Sequence, residues 1–204
     1  MKQYPSISKE ILSGIPFYCF DKLDGSNIRA EWSRKNSFYK FGARHRLLDA
    51  AEPVLGPAVE LIKSNFEKEL HDIFIDQRQD NVVCFFEFYG PGSFAGNHVE
   101  GDKFNVSLID VSFYKKGIID PRDFLKLFGN LDIAKMIYHG NVGSGVTQLV
   151  KESNLPCMTF EGIVCKASLH KNRPPSMFKV KSDAWLNKLK NFCNGDDSLY
   201  QKLL

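Results

Sequence analysis

The chain has 204 residues, 43% of them hydrophobic and 25% charged, and a net charge of +3. That is enough for one ordinary domain with a real core, and the balance is that of a globular protein, with too small a net charge to argue for nucleic acid alone. No apolar run approaches a membrane span, the start Met1-Lys2-Gln3-Tyr4-Pro5 lacks a signal-peptide layout, and five scattered cysteines without a Cys-x-x-Cys pair indicate neither a disulfide framework nor a structural zinc. The expectation is a single domain over residues 1–204 in a reducing, cytoplasmic setting, with no membrane partner, acting as a monomer.

Three strands are predicted first, over 15–23, 27–33 and 37–41, each rich in aromatic or β-branched residues and bounded by Gly, Pro, Asn or Asp. A helix follows over 54–74, where Val54, Leu55, Ala58, Val59, Ile62, Phe66, Leu70 and Ile73 form one apolar stripe. Strands are predicted again at 81–89 and 104–113. Asp120-Pro121 reads as an N-cap followed by proline at the first helical position, opening a helix to about Phe128 that Gly129 ends. A strand at 135–139 leads into Gly140-Asn141-Val142-Gly143-Ser144-Gly145, which lacks the Lys-Ser/Thr of a phosphate loop and reads as a plain loop. Strands at 157–166 and 176–181 come next, and Ser182 or Asp183 caps a last helix through Ala184, Trp185, Leu189 and Phe192. Cys19 and Cys165 read as core residues, and His98 as a loop residue. The sum is an α+β protein of mainly antiparallel sheets flanked by helices.

Charge is unevenly spread. Residues 151–204 carry nine Lys/Arg against five Asp/Glu, whereas the rest carries eighteen against nineteen. The basic excess lies in the C-terminal quarter, as a solvated face or a phosphate-facing one.

Four segments carry candidate chemistry: Lys22-Leu23-Asp24-Gly25, Phe86-Glu87-Phe88-Tyr89-Gly90, Phe160-Glu161-Gly162-Ile163-Val164-Cys165-Lys166 and Phe178-Lys179-Val180-Lys181. Taken singly, each reads more simply as solvent-side strand residues; edge strands often carry lysines that block aggregation. Their joint arrangement says more. Lys22 ends an apolar strand-like run and precedes a tight turn, where an amine can attack something held at the mouth of a sheet. Lys179 and Lys181 are two apart on a strand, so both leave the same face, and paired cations favour an anion such as phosphate between them. Glu87 and Glu161 sit in or beside apolar runs, and a buried carboxylate needs a partner: a ribose hydroxyl, a metal ion or a lysine. Together these describe a nucleoside triphosphate site with a divalent metal. A free lysine, with a pKa near ~10.4, is a poor nucleophile at neutral pH. The metal and Lys179/Lys181 are expected to lower that pKa so that the amine can attack an α-phosphorus, with pyrophosphate leaving.

These residues resemble the covalent nucleotidyltransferase superfamily of polynucleotide ligases and mRNA capping enzymes. Lys22-Leu23-Asp24-Gly25 matches its nucleophile motif, Glu87 its ribose-holding glutamate, Glu161-Gly162-Ile163-Val164 its metal-associated glutamate motif, and Lys179-Val180-Lys181 its terminal Lys-x-Lys. Within it, the chain is most similar to ATP-dependent RNA ligases of the nick-sealing phage type, through Asn27 and through Glu87-Phe88-Tyr89-Gly90-Pro91-Gly92. The resemblance implies an ATP-grasp-like adenylylation domain of the ligase type, with Lys22 as nucleophile and Mg²⁺ or Mn²⁺ at Glu161. It implies a nucleotide pocket built from Phe20, Asp21, Leu23, Asn27, Arg44, Glu87, Ile109, Lys179 and Lys181. Arg46 is a second candidate beside Arg44. Main-chain groups of Phe20 to Leu23 would read the adenine edge. Where the family stacks an aromatic on the base, this chain has Ser107-Leu108-Ile109-Asp110-Val111, so Ile109 is expected to pack there instead. The implied reaction transfers AMP from ATP through Lys22 to a 5′-phosphate end, for joining to a 3′-hydroxyl. RNA is the expected partner, nicked or single-stranded, with DNA possible. Only 23 residues follow Lys181, too few for the OB-fold or helical C-terminal domain of such enzymes, so an adenylylation domain alone is expected. The alternatives are a DNA ligase or capping-type guanylyltransferase, against which Asn27 and the missing OB-fold count, and an inactive end-binding module, against which the intact charged set counts.

Overall fold

The computed structural model describes residues 2–91, 93, 101–169 and 174–204. His98 and Gly92, both used in the sequence reading, lie outside the described residues.

In chain order the elements are β1 (Pro16–Asp21), β2 (Ser26–Ser33), β3 (Ser37–Gly42), β4 (Leu47–Leu48), α1 (Pro57–Asp76), β5 (Asn81–Tyr89), β6 (Asn105–Phe113), β7 (Gly117–Ile118), α2 (Pro121–Phe128), β8 (Met136–Asn141), α3 (Ser144–Lys151), β9 (Gly162–Ala167), β10 (Ser176–Lys181), α4 (Asp183–Cys193) and α5 (Asp197–Leu203). They build two sheets, one of order β10-β9-β1-β8 and one of order β4-β3-β2-β5-β6-β7. Every pair within these sheets is antiparallel. The predicted α+β class is the observed one.

Each sheet has its own core. Phe17, Cys19, Ile163, Cys165, Phe178 and Val180 fill the smaller one with Val142 and Val150. The larger is built on Ile28, Trp32, Phe66, Phe74, Phe86, Val111 and Phe128. The stripe predicted for the first long helix supplies Ala58, Val59, Ile62, Phe66 and Leu70 to that core, with Phe74 added one turn later. Asp120 caps α2 by accepting from the Arg122 N–H, and Ser182 caps α4 by accepting from the Trp185 N–H. Cys19 and Cys165 are fully buried, as expected of core residues.

Three predicted boundaries are corrected. The strand expected over 157–166 begins only at Gly162, because Cys157 and Gly162 both sit at positive φ (66° and 139°) and turn the chain before pairing starts. Residues Gly140 to Gly145 are not a plain loop: Gly140 and Asn141 finish β8, and Ser144 opens α3, whose Thr147 and Val150 are buried. The first strand stops at Asp21, so Lys22 lies just past its end.

The connection between the two sheets positions the site. β1 belongs to the small sheet and β2 to the large one. Residues 22–25 are the short link that carries the chain from one to the other.

Candidate active site

The link is held at both ends. The Asp21 N–H donates to the Lys135 carbonyl at 2.8 Å, and the Lys22 N–H donates to the Gly162 carbonyl at 2.9 Å. The Asp21 carboxylate accepts from the Thr159 N–H at 3.0 Å. Gly25 is required by close approach: a Cβ there would lie 2.3 Å from the Phe88 carbonyl oxygen. Gly162 is required more strictly, since its φ is +139° and a Cβ would meet the Val180 carbonyl at 2.0 Å. The glycines of two sequence segments thus let strands from both sheets approach the lysine.

Lys22 projects beside Glu161. Its Nζ lies 2.7 Å from Glu161 Oε2, and Lys181 Nζ lies 2.9 Å from Oε1 of the same carboxylate. Glu161 is 4% exposed, Lys181 9% and Lys22 20%, so the lysine expected as nucleophile is the member of the triad most open to the cavity. Lys181 also stands over the Trp185 ring, 3.4 Å from its centroid, and the Trp185 indole N–H donates to Asp24 Oδ1 at 3.3 Å. Helix α4 therefore braces both Lys181 and the loop that carries Lys22.

The charges have unequal environments. Burial lowers the proton affinity of Lys22, but the Glu161 carboxylate outweighs it, with Glu87 adding to the pull once ionised, and the ammonium is held above the ordinary lysine range. The expectation was of a depressed Lys22, but among the protein's own groups the charges acting on it most strongly are carboxylates, not cations. Lys181 goes the other way, pulled down to about 8, because burial outweighs its pairing with Glu161. Lys179 is also lowered, by burial and then by the repulsion of Lys22, with Lys9 and Arg44 contributing further. Glu87 is pushed up to about 8, chiefly by burial, despite the opposing pull of Lys22. A carboxyl so poised keeps its proton for much of the neutral range and can donate a hydrogen bond to a hydroxyl.

A cavity of about 640 Å³ opens over this triad. All the residues expected at a nucleotide site line it: Phe20, Asp21, Lys22, Leu23, Asn27, Arg44, Glu87, Ile109, Glu161, Lys179 and Lys181. Asn27 pairs with Glu87 across β2 and β5, and its Nδ2 reaches the Phe86 carbonyl at 3.4 Å. Ile109 is the extra residue of a β-bulge: Phe85 pairs with Asp110 and Phe86 with Leu108, leaving Ile109 unpaired between them. Such a bulge re-aims a side chain, here into the cavity wall. Arg46, the second arginine candidate, instead pairs with Glu52 at 2.8 Å. Lys179 and Lys181 leave the same face of β10 but do not meet at one point, since Lys179 donates to the Leu204 carbonyl at 3.1 Å.

One group was quoted in the third segment without a role of its own. Lys166 is 2% exposed, and its ammonium donates to the Ile109 carbonyl at 2.7 Å and to Asp110 Oδ2 at 2.8 Å, lying 4.7 Å from the centre of the Phe20 ring. The Tyr4 hydroxyl donates to the same Asp110 oxygen. This buried network ties β9 of the small sheet to β6 of the large one at the cavity floor. The signal was a lone opposite charge in each of two apolar strands, Lys166 after Ile163-Val164-Cys165 and Asp110 after Leu108-Ile109.

Among the described residues no three His, Cys, Asp or Glu side chains gather into a metal cage. A cation of the Mg²⁺ type is commonly held by one or two carboxylates together with substrate phosphates and water, and Glu161 is a cavity carboxylate that could hold one. Among the described residues no helix is long and apolar enough to cross a membrane.

No protein-family model matches the chain, and no curated protein matches it. Solved structures do. An RNA ligase of Naegleria gruberi with PPi superposes with a TM-score of 0.68 at 15% identity, over 94% of this chain and 58% of the ligase. A mutant of that ligase with AMP and Mn gives 0.65 at 16% identity, over 94% and 59%. Another mutant, with ATP and Mn, gives 0.60 at 17% identity, over 93% and 60%. The chain thus spans somewhat under two thirds of the ligase it matches. Its two antiparallel sheets and flanking helices have the α+β fold of these RNA-ligase nucleotidyltransferases.

Proposed function

We propose that this chain is the adenylylating unit of an ATP-dependent RNA ligase, with Lys22 as the nucleophile. The observation that carries the reading is the shared carboxylate: Lys22 and Lys181 bind the two oxygens of Glu161 at the head of a nucleotide-sized cavity. The fold shared with the Naegleria ligase, whose structures hold PPi, AMP or ATP, supports it.

In this reading the base lies between Ile109 and the Val164 side of β9, with its edge toward the main chain of Phe20 to Leu23. Glu87 and Asn27 take the ribose, Glu87 donating from its protonated carboxyl. Lys179, Lys181 and Arg44 face the phosphates. A divalent cation on Glu161 and the phosphate oxygens would draw that carboxylate from Lys22 and offset charge building on the α-phosphate. Lys22 then gives its proton to solvent water and its Nζ attacks the α-phosphorus. An N–P bond forms, the bond to the bridging oxygen breaks, and pyrophosphate leaves. A 5′-phosphate oxygen next displaces Lys22 to give an RNA capped by AMP, and a 3′-hydroxyl displaces AMP to seal the strand. Each displacement conserves charge and electrons without a redox partner.

The test of the acceptor is direct. A nicked RNA duplex and a single-stranded RNA, each 5′-³²P-labelled, are incubated with protein, ATP and Mg²⁺, and resolved on a denaturing gel. AMP-capped or sealed product is expected. Product only with DNA strands, or with GTP in place of ATP, would reject the RNA-ligase reading.

A further inference from the structure

Trp185 reads in the sequence as an apolar residue of the last helix, yet it touches the first and fourth of the charged segments and is tied to the third. β10 ends at Lys181 and α4 opens at Asp183, so a single residue, Ser182, makes the turn from strand to helix. Its hydroxyl accepts from the Trp185 N–H at 3.1 Å, which caps the helix. The same hydroxyl donates to the Phe160 carbonyl at 2.6 Å, and the Ser182 N–H donates to the Glu161 carbonyl at 2.9 Å. The first turn of α4 is thereby fixed to the segment that carries Glu161. Trp185 is buried with Leu189 and Cys193 and forms part of the cavity wall.

The indole meets two charges in two ways. Its ring centroid lies 3.4 Å from Lys181 Nζ, and its N–H donates at 3.3 Å to Oδ1 of Asp24, two residues beyond Lys22. A lysine ammonium is a compact charge on a flexible four-carbon stem, so holding it in one place costs rotamer freedom. Glu161 shares its carboxylate between Lys181 and Lys22, and on the ligase reading that carboxylate turns to a divalent cation. The ring face is a different kind of partner. It is neutral and offers no ligand atom to a metal, and its attraction for an ammonium grows as water is excluded. Lys181 is already largely shielded from water, so the ring can keep it in place after Glu161 has been drawn away.

We propose that Trp185 is a positioning residue for the adenylylation step: its ring face keeps Lys181 in the cavity when Glu161 turns to the metal, and its indole N–H steadies the loop that carries Lys22. The inference rests on the ligase reading above and adds to it a residue outside the four segments. Trp185 acts through Lys181 and Asp24 and takes part in no bond that is made or broken.

The experiment uses the full chain with Trp185→Leu, which removes both the ring and its N–H, and Trp185→Phe, which keeps a ring face alone. Intact-protein mass follows AMP-adduct formation against time at several ATP concentrations with Mg²⁺. Trp185→Leu is expected to lower the maximal rate by about tenfold or more while moving the half-saturating ATP concentration by less than about threefold, and Trp185→Phe should restore most of the rate. Competitive acetylation without nucleotide reads the ring contact itself. Lys181 is expected to label several-fold faster in Trp185→Leu than in the wild type and at an intermediate rate in Trp185→Phe, while the buried Lys166 stays protected in all three. An unchanged maximal rate in Trp185→Leu, an effect confined to half-saturation, unchanged labelling of Lys181, or a Trp185→Phe no better than Trp185→Leu would overturn the proposal. Exposure of Lys166 in Trp185→Leu would overturn it too, since the tryptophan would then be a packing residue. The wild-type protein separates the two levels: failure to form any AMP adduct would reject the ligase reading itself, whereas a competent wild type with an unaffected Trp185→Leu rejects only the positioning role.

Discussion

Lys22 Nζ stands 2.7 Å from Glu161 Oε2, closer than Lys181 stands to the other oxygen of that carboxylate. A lysine so held is charged, stable and unreactive. On the proposed reading its nucleophilicity is released when substrate binds, and Glu161 is the residue that sets when. Removing Lys22 should abolish adduct formation without unfolding the protein. Glu161 keeps Lys181, so the loss should be well under the ~3–5 kcal/mol expected when a buried charge loses its sole partner. Circular dichroism and a thermal melt of Lys22→Ala check this; an unfolded variant would make Lys22 structural.

Glu161→Gln should reverse the sign of the Lys22 shift. With that negative charge gone, burial, the largest influence on the ammonium, is opposed by the smaller pulls of Glu87 and Asp24. Competitive acetylation read by mass spectrometry gives the titration midpoint of a single lysine. It is expected above that of a free lysine in the wild type and several-fold more reactive at neutral pH in Glu161→Gln, while AMP transfer falls by at least about tenfold. An unmoved midpoint would show that Glu161 does not hold the charge.

Glu87 supplies a pH signature. Its folded carboxyl is raised to about 8, above its unfolded value near ~4.3. The folded state therefore holds the proton more tightly, and the stability this gives is full below the unfolded pKa and lost as pH rises through about 8. Glu87→Gln mimics the protonated form and should escape that loss. Its melting temperature, relative to the wild type, is expected to climb steadily from about pH 5 to about pH 8 and then level off. A constant difference across that window would mean that Glu87 ionises normally.

Gly162→Ala should be costly out of proportion to one methyl group. The added carbon would meet the Val180 carbonyl at 2.0 Å at a φ of +139°, and strain at such a position is commonly worth more than about 1 kcal/mol. Because the Gly162 carbonyl also holds the Lys22 N–H, AMP transfer should fall along with the melting temperature. A variant with wild-type stability would show that β9 and β10 can part freely.

The four segments and most of the fold were legible in the sequence because local chemistry determined them. The apolar stripe of α1, the Asp120-Pro121 start of α2 and the Ser182 cap of α4 are short-range signals, and the motif residues stand in order along the chain. What was not legible depended on pairing between distant strands. Ile109 was named through the resemblance, but the bulge against Phe85 and Phe86 that turns it into the cavity wall was not legible. Lys166 meets Asp110 only because the two sheets are stacked at that point. Glu161 reads as a strand residue, but the positive φ of Gly162 puts it in the bend before β9. The Lys22 shift was misjudged for a related reason: spacing reveals which charges recur, not which of them touch.

The central claim is that Lys22 takes AMP from ATP, and intact-protein mass tests it most directly. The protein is incubated with ATP and Mg²⁺, alongside GTP and NAD and alongside Lys22→Ala. The account predicts a gain of one AMP in the wild type with ATP, and no gain in the variant or with the other donors. An AMP adduct that persists in Lys22→Ala, or no adduct with ATP under any of these conditions, would contradict it.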